Sequence, residues 1–207
     1  MIVVYTAIFG GYDTLKPVEA LDGVRFVAFT DRPEHGKGWE CISPFPTEKD
    51  ARRENRKYKA LPHCWFPSAE CTIYLDGNLR LKVLPTQIAD SCRGSSSLFL
   101  FRHNKRNCLY AEEKTVKQNA KKQVERYRRE GYPENAGLFW GGLLVRKAGC
   151  EVFNKLWWSE IQNGSERDQI SLPYCLWKTG VDYSVLDGGI PFYGDSNPFV
   201  ERVRHKK

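Results

Sequence analysis

Three short apolar runs, each cut off by a polar turn, constrain this chain more than any other feature. Residues 2–9 (IVVYTAIF) stop at Gly10-Gly11, residues 24–30 (VRFVAFT) stop at Asp31-Arg32-Pro33, and residues 71–76 (CTIYLD) run into Gly77-Asn78. Runs rich in β-branched and aromatic residues, without polar alternation, predict strands buried in a sheet. Strands that each end in a polar turn bring those turns to one edge, where a ligand can bind.

The rest of the chain fits an α/β domain. A helix is predicted over 47–61, opened by Thr47 with Asp50 three residues later and ended by Pro62. It carries Arg52, Arg53, Arg56, Lys57 and Lys59 with few apolar positions. GSSS (94–97) reads as a mobile loop before a strand, LFLF (98–101). A long helix follows over 112–130, with Val116, Ala120, Val124 and Tyr127 on one face, and Gly131-Tyr132-Pro133 ends it. GLFWGGLLVR (137–146) is strand-like, and Gly141-Gly142 inside it marks a bulge or a close approach by a ligand or backbone. Helices near 150–162 and 173–179 close the fold. No repeat or long linker divides the 207 residues, which suit a single domain.

Composition narrows the function classes. Hydrophobic residues at 41% and aromatics at 13% exclude a disordered or collagen-like chain. No run reaches the ~18 apolar residues of a membrane span, and the amino terminus lacks the layout of a signal peptide. The seven cysteines are odd in number and scattered, without CxxC or zinc spacing, so they read as reduced thiols of a cytoplasmic protein. A net charge of +7 predicts affinity for anions. Residues 102–130 hold ten Lys or Arg against four Glu, with Tyr110 and Tyr127 between them, a pattern that can track a nucleic-acid backbone. The charges are mixed with glutamates along an amphipathic helix, and no nucleic-acid module accompanies them, so no nucleic acid is expected as partner.

The sharpest local motif is Tyr74-Leu75-Asp76-Gly77-Asn78. A strand delivers one carboxylate to its end, and an amide oxygen follows two residues later across a glycine turn. Either this is a plain Asp-Gly turn, or Asp76 and Asn78 offer oxygen ligands to Mg²⁺ or Mn²⁺ together with a diphosphate.

In this order, TAIFGGYD (6–13), the Asp31 turn, the basic segment 52–59 and YLDGN resemble the GT-A class of glycosyltransferases, with YLDGN standing at the DxD motif. Asn78 departs from the second acid of that motif. FRHNKRNCLY (101–110), GLFWGG (137–142), Glu166-Arg167-Asp168-Gln169 and Trp177 resemble the layout of retaining members of that class. Taken together, YTAIFGGYD, FTD, NRKYKALPH, YLDGN and RDQISLPY are similar to the glycosyltransferase-like family of plant mucilage and turgor-regulating proteins, over about residues 2–180.

The resemblance implies a single GT-A, Rossmann-like nucleotide-sugar-binding domain over 1–207, with a central mixed, mostly parallel sheet flanked by helices. About residues 1–80 would be its nucleotide-binding half and about 98–207 its sugar- and acceptor-binding half. It implies metal-dependent transfer, with retention, of a hexose or deoxyhexose from a UDP-sugar or GDP-sugar to a glycan or glycoconjugate. Asp76 and Asn78 would hold Mn²⁺ or Mg²⁺, joined by His205 unless that residue is only part of a solvated tail. Thr6, Ala7, Tyr12 and Asp31 would meet the nucleotide, the alternatives being core packing for Tyr12 and turn-capping for Asp31. Arg56 and Lys59 would meet phosphate or sugar oxygens, or else form a solvated face. Asp168 would lie beneath the anomeric carbon, as nucleophile or charge stabiliser, with Gln169 orienting sugar hydroxyls. Capping the helix after it is the other role open to Asp168. Trp140, Gly141 and Gly142 would form a sugar wall, Trp140 being a core residue otherwise. His103 and Arg106 would reach the acceptor or diphosphate. A hydrolase of nucleotide sugars and an inactive sugar-nucleotide-binding module are the competing functions at the same site.

Overall fold

The computed structural model describes residues 1–35, 37–113, 119–191 and 196–203. In chain order the elements are β1 (Ile2–Ile8), β2 (Val24–Thr30), β3 (Glu40–Ile42), α1 (Ala51–Ala60), α2 (Pro62–Trp65), β4 (Cys71–Leu75), β5 (Leu79–Leu81) and α3 (Pro85–Ser91). β6 (Leu98–Arg102), α4 (Leu109–Glu113), α5 (Asn119–Arg129), β7 (Phe139–Arg146), α6 (Glu151–Asn163), α7 (Asp168–Thr179), β8 (Tyr183–Leu186) and β9 (Val200–Arg202) follow.

The strands form a seven-stranded sheet in the order β3-β2-β1-β4-β7-β6-β8. Within it β7 alone runs against its neighbours β4 and β6 and the other pairings are parallel, while β5 and β9 form a separate antiparallel pair. This is the mixed, mostly parallel α/β sheet that the resemblance implies. The apolar runs split by residue parity between two cores, as strands buried on both faces require. Val3, Tyr5, Ala7, Val27 and Phe29 pack on one face with α1, α5, α6 and α7, while Val4, Ile73, Leu75 and Phe99 pack on the other with Ile88 and Cys92.

Several boundaries differ from expectation, each for a local reason. The first helix starts at Ala51 rather than Thr47, because Asp50 is itself the cap and accepts from the amides of Arg52 and Arg53 at 3.0 and 2.9 Å. Pro62 does not merely end it but opens α2 as that helix's first residue. The predicted helix over 112–130 is represented by α4 and α5, with Ala120, Val124 and Tyr127 fully buried. Val116 lies outside the described residues. GSSS is tethered rather than loose: Ser96 Oγ pairs with Ser184 Oγ at 2.9 Å, and Ser97 N donates to Asp182 O at 3.0 Å. The helix expected at 173–179 begins at Asp168 with Pro173 inside it, and β8 and β9, not the helices, complete the fold. Asp168 is therefore the first helical residue and not the cap, a position that falls to Arg167.

Candidate functional site

Parallel pairing brings the carboxyl ends of β1, β2 and β4 to one edge. The chain leaves β1 for β2 on one side, while β4 flanks it on the other, which makes this edge a topological switch point where ligands bind. A cleft of about 1130 Å³ opens there, lined by Ala7–Gly10, Tyr12 and Asp13 of the first strand end, by α1, by Asp76–Asn78, and by Arg106 and Ser165–Arg167.

Its floor is an ionic cluster. Lys59, whose side chain is 2% exposed, places Nζ 2.6 Å from Asp168 Oδ2 and 3.3 Å from Asp76 Oδ1. Arg56 Nε lies 3.3 Å from the same Asp168 oxygen, within ion-pair range but off the hydrogen-bond line. The Tyr74 hydroxyl donates to Asp76 Oδ1 at 2.9 Å, and the Lys59 ammonium sits 4.9 Å from the centre of the Tyr74 ring. Burial alone would raise the Asp168 carboxyl, but the charges of Arg56 and Lys59 hold it well below the usual carboxylate range. Burial and the neighbouring Asp76 charge push the Tyr74 phenol well up, so it stays a donor.

β7 makes room for this cluster. Its register against β6 shifts between Leu100 and Phe101, a bulge at the glycine pair. A side chain at Gly141 would come within 3.2 Å of Lys59 Nζ and 3.4 Å of Asp168 Oδ2. The Gly142 carbonyl accepts from the Asp76 amide at 2.9 Å, which fixes the end of β4.

The structure brings Ala7, Tyr12, Arg56, Asp76, Asn78 and Arg106 to the cleft wall, with Lys59, Asp168 and Gly141 directly beneath. Tyr12 is 63% exposed, so it is not a core residue. α1 is not a bare solvated face, since Lys59, Tyr58 and Glu54 are buried. Asp76 and Asn78, a carboxylate and a carboxamide, both line the cleft, and among the described residues no group of three or more His, Cys, Asp or Glu is placed to hold a metal ion. His205 lies outside the described residues, although Val203 N donates to Asn78 O at 2.8 Å and so brings the chain to this turn.

Other candidates have different tasks. Thr6 is buried in the sheet and does not line the cleft. Asp31 accepts from the Gly10 amide at 2.8 Å and holds the end of β1 against that of β2. Trp140 is buried in the second core beside Phe101, with its ring over Gly142, and is no cleft wall. His103 is buried, and its Nδ1 accepts from the amides of Lys105 and Arg106, which shapes the turn that presents Arg106. Gln169 donates to Phe139 O at 3.4 Å and ties α7 to β7. Sequence reasoning assigned no role to Arg167, Glu166, Asn55 or Glu112. Asn55 donates to Ala7 O, and Arg52 pairs with Glu166 at 2.8 Å across the cleft. A charged residue on the apolar stripe 112-116-120-124 was the one available signal for Glu112.

Fold and site thus define an α/β domain with a cationic cleft, floored by two carboxylates, at the switch point of a mostly parallel sheet. The TOD1/MUCI70 glycosyltransferase-like domain family matches residues 42–186, and this chain belongs to it. The probable hexosyltransferase MUCI70 of Arabidopsis thaliana is 27% identical over 212 residues, covering 82% of this chain. The match spans only 36% of that relative's length. Among solved structures, the chain is similar to a glycosyltransferase that acts in glycosylation of the major capsid of PBCV-1 (15% identity, TM-score 0.46, 74% of this chain and 68% of that one). It is also similar to the galactosyltransferase LgtC in complex with donor and acceptor sugar analogues (15%, 0.49, 89% and 73%). Mouse xyloside xylosyltransferase 1 is a third likeness (10%, 0.48, 90% and 84%).

Proposed function

We propose that this domain transfers a hexose or deoxyhexose from a nucleoside diphosphate sugar, most simply a UDP-sugar, to a glycan or glycoconjugate acceptor, with retention. The observation that carries this reading is the Lys59 bridge between Asp76 and Asp168 at the switch-point cleft. Transfer requires a leaving diphosphate to be stabilised and positive charge at the anomeric carbon to be met. One wall supplies the cations for the first, and Asp168, ionised at neutral pH, supplies the anion for the second.

A divalent cation at Asp76 and Asn78 would supply Lewis-acid stabilisation of the diphosphate. The chain's own residues do the rest. Tyr12, exposed at the rim, offers a ring to the base, and the Ala7–Gly10 backbone lies beside it. Arg56, one-quarter exposed beside Asp168 on the cleft wall, meets phosphate or sugar oxygens. Lys59 keeps the two carboxylates apart in charge and position, so Asp168 can serve as nucleophile or stabiliser without repulsion from Asp76. All seven cysteines carry free thiols, in keeping with a cytoplasmic setting. Among the described residues no helix is long and apolar enough to cross a membrane.

The test is ligand-induced stabilisation. UDP with Mn²⁺, and more so a UDP-sugar with Mn²⁺, should raise the melting temperature, by mass action worth about 2.7 kcal/mol at a hundred times the Kd. Asp76→Ala should abolish the Mn²⁺-dependent part, and its survival in that variant would remove Asp76 from the metal site. Asp168→Asn should bind UDP as the parent does while transfer falls by orders of magnitude. No shift with any nucleotide or nucleotide sugar overturns the donor assignment.

A further inference from the structure

We propose that Glu112 is a positioning residue that holds Arg106 and Arg167 as a two-guanidinium clamp for phosphate-borne charge in the cleft. Glu112, on α4, is 0% exposed. Its Oε2 receives Arg106 Nη1, from the loop after β6. Its Oε1 receives Arg167 Nε at 2.9 Å and Nη2 at 2.7 Å, from the residue that caps α7. One carboxylate therefore ties the loop after β6 and its own helix to the start of α7, 55 residues further on.

Both arginines line the cleft, with side chains 28% and 45% exposed. A guanidinium has five N–H donors. Glu112 accepts one N–H from Arg106 and one from Arg167, whose Nη2 lies within ion-pair range as well, which leaves N–H groups of both for a ligand. The triad carries one net positive charge at the cleft. Such a buried arrangement is a poor source of stability, because desolvation offsets the attraction and apolar side chains of similar volume commonly do as well or better. What it supplies is fixed geometry. The same wall is pinned from behind at Ser165, whose amide donates to Gln123 Oε1 at 2.9 Å. Guanidinium groups held in place before the ligand arrives lose little freedom on binding, and planar forks suit phosphate oxygens. Identifying that phosphate as the donor's diphosphate rests on the function proposed above.

The experiment is calorimetric titration of inorganic pyrophosphate, UDP and uridine into the parent, Glu112→Gln, Arg167→Gln and the double variant. Each single variant should weaken pyrophosphate and UDP about tenfold, as the loss of charge-assisted hydrogen bonds implies. Uridine binding should stay unchanged, a split that a general loss of stability would not produce. The double variant should lose less than the sum of the single losses, because Glu112 acts in part through Arg167. Arg167→Gln lies at a half-exposed position and keeps the test decisive if Glu112→Gln fails to fold. Equal pyrophosphate and UDP affinities in variants and parent, fully additive losses, or no pyrophosphate binding by the parent overturn the clamp. A parent that binds pyrophosphate but gains nothing from the uridine moiety leaves the clamp standing and removes the nucleotide donor instead.

Discussion

Lys59 carries the electrostatics of the cleft floor on one ammonium group. It is buried, it faces two carboxylates, and its stem runs past Tyr74, so nothing about it resembles Lys57 two residues earlier, which reaches out to Thr47 Oγ1. Removing one partner of a buried ion pair costs about 3–5 kcal/mol, since the other charge is left without compensation. Lys59→Met keeps the stem and leaves Asp168 to Arg56 alone, so the urea midpoint should fall by a corresponding amount. Lys59→Met with Asp168→Asn should recover a large part of that loss, because the stranded charge is gone. Lys57→Met should change the stability by no more than about 0.5 kcal/mol, as surface changes do. Strict additivity of the Lys59 and Asp168 changes would show that the 2.6 Å contact is not energetically coupled.

β7 and α7 show why some elements were legible in the sequence and others were not. β1, β2 and β4 could be read because unbroken apolar runs ending in polar turns leave few alternatives to a buried strand. The helix expected near 173–179 misses the first turn of α7, which runs from Asp168 through Pro173. In fact α7 is buried from Asp168 to Leu176, so it has no amphipathic period to reveal its extent. Proline inside it leaves the Gln169 carbonyl without its helical donor. Long-range caps are equally invisible: Arg53 of α1 donates to Gln162 O and Gly164 O at the end of α6, 3.0 Å in each case. The Gly141-Gly142 pair was recognised as a close approach, but not what approaches. Gly141 faces the Lys59–Asp168 pair, whereas a side chain on Gly142 would fall 2.3 Å from the buried Trp140 ring. Gly141→Ala should therefore cost about 1–3 kcal/mol by overpacking, and should weaken UDP-sugar binding by displacing Lys59. Gly142→Ala should destabilise more, because the Trp140 ring is fixed in the core. Thermal melts of the two variants decide the order, and a Gly142→Ala protein as stable as Gly141→Ala would mean that Trp140 can swing away.

Over the whole molecule, the surplus of positive charge is placed rather than spread. Part of it lines the cleft, and in the basic segment Arg106 and Arg126 are paired with Glu112 and Glu160 while Arg128 lies over the Tyr110 ring at 4.6 Å. The ionisable groups that the fold shifts then set how it responds to pH. Asp168 and Glu130 are both depressed: Asp168 by Arg56 and Lys59 against its burial, and Glu130 to about 2, first by its Lys178 and Tyr174 hydrogen bonds. A depressed carboxylate contributes stability that is complete above its unfolded pKa and is lost as pH falls through the folded one. The stability these two groups contribute is therefore whole above pH ~4, the unfolded carboxylate value, and erodes as pH falls below it. His103 acts sooner. Burial and then the Arg106 charge lower its pKa, and its Nδ1 is an acceptor for two amides, so the native state keeps it neutral. Below pH ~6.5 the unfolded chain takes up that proton first, so stability must decline from neutral pH toward pH ~5. His63, also lowered by burial, adds to the same step. Urea midpoints measured between pH 3 and 8 should show this decline. His103→Asn, whose amide oxygen can accept from the same two backbone groups, should shrink the step while leaving the plateau above pH ~7 unaltered. An unchanged step in that variant would mean that the turn presenting Arg106 does not depend on a neutral imidazole.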